Sequence, residues 1–298
     1  MKSFFFLTGT LLGLATAVCA QQTPPPPPPI PTDSTVKVVT TPPGFTTELN
    51  AVYTKVGPWD GRMDLYLNKA SRKPVPVIVN LHGGGWNKGT KESQSGFSSF
   101  FKQGWSVANV EYRLSPYAPA PAAIEDVRCA LIYLVNNAKQ LNIDPKKIVV
   151  LGTSSGGHLA LMAGLLENDP KFDAQCKAPE PLKIRAIIDK YGIADVAQWK
   201  TKTATQWLGP KARDAEFVQS VSPMSYVKKT SPPTFIIHGD ADSTVPYAQS
   251  VALFKSLKAA KVNTEMLTIE GGEHGKFSKE DNKRVSEAII GFLQAQGL

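Results

Sequence analysis

Apolar and polar positions alternate regularly along the chain from about residue 46. Short, nearly continuous apolar runs, typical of strands buried on both faces, are separated by longer segments with apolar residues at helical spacing. The predicted strands are 63–67, 76–81, 107–112, 147–151, 184–188, 234–237 and 265–269. The predicted helices are 122–139, 156–166, 247–260 and 279–294. This order predicts an α/β fold, a mainly parallel sheet with helices on both faces and a ligand site at the carboxyl ends of its strands.

Residues 192–230 interrupt the alternation with much polar sequence and the large aromatic residues Trp199, Trp207 and Tyr226. We expect them to form a small helical cap inserted over one end of the sheet. An aromatic side chain above the strand ends can form a wall for an acyl or aromatic group, so Trp199 and Trp207 are candidate substrate-binding residues. The alternative is that both tryptophans only anchor the cap to the core.

The first 45 residues do not follow the globular pattern. Residues 1–20 are typical of an export signal: a single early charge, an apolar stretch over 4–17 and the small-residue site Val18-Cys19-Ala20, with cleavage expected after Ala20. The apolar stretch is short for a membrane span. Lipoprotein processing at Cys19 is the alternative, although Val18 stands where a smaller residue is expected. These features predict a secreted or periplasmic protein with no stable membrane span.

A proline- and threonine-rich segment, 21–45, follows the predicted signal. It favours extended polyproline geometry and cannot bury a core, so we interpret it as a linker. Residues 46–298 then form one globular domain, for which 42% hydrophobic residues is an ordinary share.

The net charge of +8 comes from lysines scattered over the whole chain. There is no long basic run and no basic helix with interleaved aromatic residues, which favours a solvated surface and no nucleic-acid partner over attraction to acidic polymers. No His/Cys group has the spacing of metal ligands and there is no G-x-G-x-x-G motif, so no metal and no organic cofactor is predicted. Nothing in the composition indicates an oligomeric state.

The motif Gly152-Thr153-Ser154-Ser155-Gly156 lies between the predicted strand 147–151 and the predicted helix 156–166. A G-x-S-x-G turn in that context lifts the serine side chain clear of the backbone, and its glycines allow the chains to approach closely. The following helix N-terminus also favours developing negative charge. Ser154 is therefore the candidate nucleophile, against the alternative of a simple glycine-rich turn.

The motif His82-Gly83-Gly84-Gly85-Trp86 follows the predicted strand 76–81. Acyl transfer places negative charge on a carbonyl oxygen, which preorganised N–H groups stabilise. Together with the serine turn, this glycine loop predicts an oxyanion hole formed by the N–H groups of Gly84, Gly85 and Ser155. Trp86, at the end of the loop, is a further candidate for substrate binding.

The general base can be found among four histidines. His82 begins the glycine loop and is expected to brace it, His158 falls in the first turn after the serine, and His238 ends a predicted strand. His274 alone lies in a late polar loop between the last strand and the last helix, from which an imidazole can reach over the strand ends. His274 is therefore the candidate base.

The acid that orients this base is expected between Ser154 and His274 in the chain. Asp240 and Asp242 both follow the predicted strand 234–237, and Asp189 ends the preceding one. Asp242 is favoured among the three. The alternative is that Asp240 and Asp242 only cap the next helix.

Five motifs together resemble a known family: HGGGW at 82–86, EYRLSPYAPAPAAIEDVRCAL at 111–131, GTSSGGHLALM at 152–162, HGDADSTVP at 238–246 and GGEHGKF at 271–277. They are similar to the α/β-hydrolases of the hormone-sensitive-lipase-like and feruloyl or acetyl-xylan-esterase-like groups, over roughly residues 50–298. The resemblance implies the α/β-hydrolase fold, with residues 46–298 as the catalytic domain, and a serine esterase. It selects Asp242 as the triad acid, and it implies the same oxyanion donors. Ser155 departs from the alanine of many relatives, but its N–H is retained.

The resemblance also bears on Cys129 and Cys176, the two cysteines that remain after removal of the signal. An even count in an exported chain permits a disulfide, and two buried thiols are the alternative. In this fold the helices near the two cysteines pack on the same side of the sheet. The resemblance therefore implies a Cys129–Cys176 bridge.

The sequence thus predicts a secreted carboxylic ester hydrolase that forms an acyl-enzyme on Ser154, with acetyl or feruloyl groups of plant polysaccharide as the expected substrates. Two other functions stay open. A peptidase or amidase similar to prolyl oligopeptidase is one, although such enzymes usually carry a β-propeller and only about 50 residues precede the first predicted strands. A non-catalytic binding module is the other, although all three triad positions are occupied.

Overall fold

A computed structural model describes Met1 and residues 37–178 and 181–298. The rest of the expected signal peptide and residues 21–36 of the expected linker lie outside the described residues. The strands are Phe45–Val56 (β1), Trp59–Asn68 (β2), Val75–Leu81 (β3), Ser106–Val110 (β4), Ile143–Thr153 (β5), Ile184–Lys190 (β6), Thr234–Gly239 (β7) and Thr264–Ile269 (β8). The α-helices are Ser98–Lys102 (α1), Ala122–Asn136 (α2), Ala138–Leu141 (α3), Ser155–Leu165 (α4), Lys202–Leu208 (α5), Ala215–Ser220 (α6), Ala248–Ala259 (α7) and Lys279–Ala295 (α8).

The strands form one sheet in the order β1-β2-β4-β3-β5-β6-β7-β8. β1, β2 and β4 pair antiparallel, and every pairing from β4 through β3 to β8 is parallel. The central strands are apolar because helices cover both faces of the sheet. The predicted parallel sheet with helices on both faces is confirmed.

Each face of the sheet has its own hydrophobic core. On one face α2, α4 and α7 contribute Leu131, Leu159 and Leu253 to a core that also contains the cap tryptophans. On the other face α1 and α8 contribute Phe100 and Ile289 to a smaller core. The two helical layers cover both faces of the sheet and leave the carboxyl ends of the parallel strands facing the cap.

The cap is the segment 192–230, as predicted. It contains α5, α6 and the 3₁₀ turns Gly209–Lys211 and Pro223–Tyr226. Side-chain N-caps begin both helices: Thr201 accepts the Ala204 N–H and Asp214 accepts the Phe217 N–H, each of which has no partner within its own helix.

A disulfide joins Cys129 in α2 to Cys176, which follows α4, with their Cα atoms 5.3 Å apart. The residue beside Cys129 reinforces the connection, because the Arg128 guanidinium donates to both carboxylate oxygens of Asp173, at 2.7 and 2.6 Å. The two contacts hold α2 and the chain beyond α4 together on one side of the nucleophile strand.

Three features differ from the sequence prediction. β1 was not predicted, because its residues are mostly exposed and carry no apolar alternation. The five-residue α1 was not predicted either, since it is too short to show a helical period. The predicted helix 122–139 is divided at Asn137 into α2 and α3. Within residues 37–178 and 181–298, no helix is both long and apolar enough to cross a bilayer.

Candidate active site

Ser154 occupies a sharp turn between β5 and α4. Its backbone has φ 56° and ψ −120°, a strained combination for a residue with a side chain. The neighbouring chains are close: a Cβ on Gly156 would lie 2.2 Å from the Leu81 carbonyl oxygen, so only glycine fits there. The Ser154 N–H donates to the Lys190 carbonyl at 2.9 Å, which fixes the turn to the neighbouring strand. This is the geometry that the G-x-S-x-G motif predicts.

Ser154, His274 and Asp242 form a continuous hydrogen-bonded chain. The Ser154 hydroxyl lies 2.9 Å from His274 Nε2, and His274 Nδ1 lies 2.6 Å from Asp242 Oδ2. Because a carboxylate only accepts, Nδ1 carries the proton and Nε2 is free to accept the serine proton. The Asp242 side chain is fully buried, whereas 23% of the His274 side chain is exposed. The base therefore faces the pocket and its acid is shielded from solvent.

Asp242 is held by four donors. Its Oδ1 accepts the N–H groups of Thr244 and Val245 at 2.8 and 2.9 Å. Its Oδ2 accepts from His274 and also from His238 Nε2, at 3.1 Å. These contacts fix the carboxylate and stabilise its charge.

The His238 contact was missed by the sequence analysis. His238 Nε2 is also 3.0 Å from the Val245 carbonyl, and since a carbonyl only accepts, Nε2 must carry the proton. The Ser250 hydroxyl then donates to Nδ1 at 2.6 Å. Burial lowers the pKa of His238, which favours this neutral form. The H-x-x-x-D spacing of 238–242 was the available signal, since it places both side chains at the end of one strand.

The two alternative acids do not reach His274. Asp240 is exposed and its carboxylate accepts the Gly271 N–H at 2.7 Å, which braces the loop before the histidine. Asp189 is fully buried below the serine turn, where Oδ1 accepts the Gly192 N–H at 3.0 Å. Burial raises the pKa of Asp189 to about 7.

The glycine loop 83–85 stands against the serine turn. A Cβ on Gly83 would lie 3.3 Å from Ser154 Cβ, and one on Gly84 only 2.1 Å from the Lys88 carbonyl oxygen. Gly84 has φ 120° and Gly85 φ 63°, so both adopt left-handed conformations that suit glycine. Their N–H groups and that of Ser155, at the start of α4, make no backbone hydrogen bond within the described part of the chain. All three donors are therefore free for a developing oxyanion.

His82 braces this loop, as expected. Its ring stacks on Tyr112 with centroids 4.3 Å apart, and Nδ1 donates to the Gly83 carbonyl at 2.7 Å. The Tyr112 hydroxyl donates to the His82 carbonyl at 2.7 Å. Burial lowers the pKa of His82 to about 4, so the ring stays neutral at ordinary pH.

Trp86 and Trp207 do not line the pocket, and the prediction that they bind substrate is wrong. Both side chains are fully buried and their rings stack at 4.2 Å, which joins the end of the glycine loop to α5 of the cap. The Trp86 indole N–H donates to His158 Nδ1 at 3.2 Å, and His158 Nε2 donates to the Val221 carbonyl at 2.8 Å. Burying an indole ring in this core gains more free energy than leaving it at the wall of an open pocket, which explains why both rings are buried.

A pocket of about 580 Å³ opens above Ser154 and His274. Trp199 and Tyr191 contribute its aromatic walls, and Tyr191 packs edge-on against the His274 ring at 4.9 Å. Of the three predicted tryptophans, only Trp199 reaches the pocket, although it is 7% exposed and its indole N–H donates to the Thr244 carbonyl. The remaining walls are mostly polar or glycine: Gly83, Gly84, Gly85, Asn87, Lys88, Gln94, Thr153, Thr203, Thr244 and Gly275.

The BD-FAE family model matches residues 63–257, which include the glycine loop, the serine turn and Asp242. The chain belongs to the BD-FAE family. Its sheet, helices and serine turn form the α/β-hydrolase fold. In this family member the matched region ends before His274, which the structure brings to Ser154 from the loop after β8.

Several named relatives of this BD-FAE protein are esterases. Esterase LipC of Mycobacterium tuberculosis is 29% identical over 243 residues, which are 74% of this chain and 58% of LipC. The chain thus spans a little over half the length of the curated relatives that it matches first.

Two solved structures cover nearly the whole hydrolase fold. A truncated carbohydrate esterase from gut microbiota superposes with a TM-score of 0.74 at 27% identity, covering 84% of this chain and 96% of that one. An acetyl ester-xyloside bifunctional hydrolase from Caldicellulosiruptor lactoaceticus superposes with a TM-score of 0.66 at 28% identity, covering 79% and 90%.

Proposed function

We propose that this BD-FAE protein is a serine carboxylic ester hydrolase that acts on acetyl or feruloyl esters of carbohydrate. The observation that carries the proposal is the continuous contact from Ser154 through His274 to Asp242, with the nucleophile on a strained turn beside three free N–H donors. Strain and preorganised donors are costly to maintain, and such costs concentrate where a site uses them.

In the proposed reaction the Ser154 oxygen attacks the ester carbonyl carbon while His274 Nε2 takes the hydroxyl proton. The carbonyl oxygen becomes an oxyanion held by the N–H groups of Gly84, Gly85 and Ser155. Asp242 keeps Nδ1 protonated and stabilises the imidazolium. His274 then gives its proton to the departing alkoxide, which leaves an acyl-serine and a free alcohol.

Water completes the cycle. His274 Nε2 removes a proton from a water molecule, and the hydroxide attacks the acyl carbon through a second oxyanion. The tetrahedral intermediate collapses, the proton returns from Nε2 to the Ser154 oxygen, and the carboxylic acid leaves. Each step uses the same three side chains and donors, so no residue has to move far between the two halves.

A carbohydrate ester is favoured over a long-chain lipid ester by the walls of the pocket. Amide, hydroxyl and glycine backbone groups make up most of them, and Trp199 and Tyr191 supply the aromatic surface on which a sugar ring or a feruloyl group can pack. The names of the similar solved structures, a carbohydrate esterase and an acetyl ester-xyloside hydrolase, support the same substrate class.

We further propose that the protein works outside the cytoplasm, as a secreted or periplasmic enzyme. The sequence of residues 1–20 supports export. A disulfide between Cys129 and Cys176 supports it independently, because such bonds persist in oxidising compartments.

The test compares four substrates with the wild-type protein and Ser154→Ala: acetylated xylo-oligosaccharide, methyl ferulate, p-nitrophenyl octanoate and the p-nitroanilide of acetic acid. We expect wild type to release acetate or ferulate, and Ser154→Ala to lose at least about a thousandfold in kcat, as loss of a nucleophile does in other triads. Faster cleavage of the anilide than of the three esters would make the protein an amidase. Unchanged turnover in Ser154→Ala would remove Ser154 from the mechanism. Covalent labelling of that variant by an organophosphonate to the same extent as wild type would do the same.

A further inference from the structure

A second cavity lies next to the catalytic pocket, on the face of the sheet that α1 and α8 cover. It has a volume of about 260 Å³ and lies between the carboxyl ends of β3, β5 and β6 and the helices α1 and α8. It meets the catalytic pocket at Gln94 and Thr153, which line both spaces. Since Thr153 immediately precedes Ser154, the end of the strand that carries the nucleophile borders both spaces.

Among the described residues that line this second cavity, Lys190 alone is charged, and we call the space the Lys190 cavity. Successive side chains of β6 point to opposite faces of the sheet. Ile188 belongs to the core under α1 and α8, and Asp189 contacts Gly157 on the opposite face, so Lys190 points to the α1 and α8 side.

Among residues 37–178 and 181–298, the Lys190 ammonium has no counter-ion. Within the described residues it makes no side-chain hydrogen bond and no carboxylate oxygen lies within 4.0 Å of its Nζ. The residue is half-buried, and burial alone lowers the pKa of its ammonium, with no acidic neighbour acting in the opposite direction. Asp189, its sequence neighbour, faces away towards Gly192.

An ammonium that is partly withdrawn from solvent and has no carboxylate beside it can form a charge-assisted hydrogen bond with an anion. The described walls around Lys190 place no carboxylate that would repel an anion, and besides apolar side chains they carry amide and hydroxyl groups: Asn80, Gln94, Ser99, Thr153, Asn282 and Ser286. The cavity is also small, below the usual size of a site for a whole drug-like ligand. Its size and charge therefore fit one small anionic group.

We propose that the Lys190 cavity binds a free carboxylate of the substrate, so that the enzyme prefers esters that also carry a carboxylic acid. This inference rests on the proposed ester hydrolysis, because it describes a subsite of the same pocket. The carboxylate could belong to the acyl part, as in a half-ester of a dicarboxylic acid, or to the alcohol part, as in an acetylated acidic sugar. Both would place an anion beside Lys190 while the ester lies above Ser154.

Matched substrate pairs test the proposal. Monoethyl succinate and ethyl succinamate differ by a carboxylate against a neutral amide on the acyl side, and acetoxyacetate and acetoxyacetamide differ in the same way on the alcohol side. On whichever part of the ester, acyl or alcohol, carries the recognised carboxylate, we expect Lys190→Met to lower kcat/KM of the carboxylate ester by roughly 10- to 100-fold. That is the scale of a lost hydrogen bond to a charged group. The neutral partner should change by less than about twofold. The side that responds identifies the source of the carboxylate.

Two further lysines serve as controls. Lys283→Met removes the same charge from an exposed position on α8, and Lys88→Met removes it from the wall of the catalytic pocket. We expect neither to abolish the preference for carboxylate. If Lys190→Met leaves both substrate ratios unchanged, or if Lys88→Met is the variant that removes the preference, the proposal is wrong.

A binding measurement separates this inference from the catalytic one. Monoethyl succinate and ethyl succinamate are titrated by calorimetry into Ser154→Ala and into the double variant Ser154→Ala/Lys190→Met. We expect the carboxylate ligand to bind the single variant more tightly and to lose that advantage in the double variant. If the double variant loses the advantage but the wild-type protein hydrolyses no ester, only the proposed function is contradicted. If the carboxylate ligand binds equally well to both variants, the Lys190 subsite is contradicted.

Discussion

At the scale of single residues, Asp242 and Asp240 stand two positions apart and make different contacts. Asp242 is buried and accepts from His274, while Asp240 is exposed and accepts the Gly271 N–H. We therefore expect Asp242→Asn to lower kcat by about 10⁴-fold, because the amide cannot hold His274 in the required tautomer. Asp240→Asn should lose less than about tenfold. Steady-state kinetics of the two folded variants decide, and a larger loss in Asp240→Asn would exchange their roles.

Asp189 predicts a pH dependence of stability. Burial raises its folded pKa to about 7 from 3.8, so between about pH 4 and 7 the folded state holds a proton that the unfolded state has released. Its contribution to the free energy of unfolding is therefore full below pH 4 and falls as pH rises, by up to about 4 kcal/mol. We expect the unfolding free energy of wild type minus that of Asp189→Asn to fall as the pH rises from 4 to 7.

Urea unfolding at several pH values measures that difference. His82 and His158, whose pKa values burial lowers to about 4, make stability rise with pH, but they are present in both proteins and cancel. A difference that stays constant from pH 4 to 7 would mean that Asp189 is already ionised in the folded protein at pH 4.

Residue types and spacing were sufficient to propose Ser154 and His274, because each lies in a loop directly after an apolar strand. They favoured Asp242 among three aspartates, and the family resemblance selected it. Burial and hydrogen-bond partners could not be obtained in the same way. His238 ends a strand like many structural histidines, and its second contact to Asp242 depends on the fold of the 240–245 loop. Lys190 interrupts no pattern at the end of β6, and only the arrangement of α1 and α8 shows that it has no carboxylate partner in the part of the chain that the structure describes.

At the scale of elements, the two cap tryptophans are expected to behave differently. Trp207 is fully buried against Trp86, so Trp207→Ala should lower the free energy of unfolding by about 3–5 kcal/mol through the cavity that it leaves. Trp199 lines the pocket, so Trp199→Ala should change the ratio of kcat/KM between acetyl and feruloyl esters by about tenfold.

Trp199→Phe is the matched control, since it keeps the aromatic wall and loses only the indole hydrogen bond to Thr244. Denaturant midpoints and paired kinetics on the two esters provide the measurements. If Trp199→Ala changes both esters equally while Trp207→Ala changes their ratio, the cap selects its substrate through the buried stack and not through the pocket wall.

The strands that the sequence predicts most directly are those with two buried faces. β3, β5, β6 and β7 were found within a few residues of their bounds, because continuous apolar runs leave one interpretation. β1 lies at the edge of the sheet with mostly exposed residues, and no apolar period marks it. The division between α2 and α3 is a local choice of hydrogen bonds at Asn137, which periodicity does not record.

At the scale of the whole molecule, the Cys129–Cys176 bond closes a long loop around the serine turn. The sequence separation of 47 corresponds to about 4 kcal/mol of stabilisation in the chain-entropy description, chiefly through the unfolded state. We expect the double variant Cys129→Ala/Cys176→Ala to lower the free energy of unfolding by an amount of this order, with kcat nearly unchanged.

Wild type unfolded in a reducing agent is the matched control, and it should unfold at the same urea concentration as the double variant. The Arg128–Asp173 ion pair remains in all three proteins, so the comparison isolates the covalent bond. Equal midpoints for oxidised wild type and the double variant would show that this ion pair and the packing of α2 suffice.

The stack of Trp86 on Trp207, joined by His158, limits how such enzymes can be recombined. One partner comes from the loop after β3, one from α4 and one from the cap, so the cap is not a detachable module with an interface of its own. A cap grafted from a relative would meet an indole and an imidazole shaped for a different neighbour. To change the substrate preference of this scaffold, the cap therefore has to be exchanged together with Trp86, Trp207 and His158. The alternative is to alter the pocket wall and leave these three residues intact.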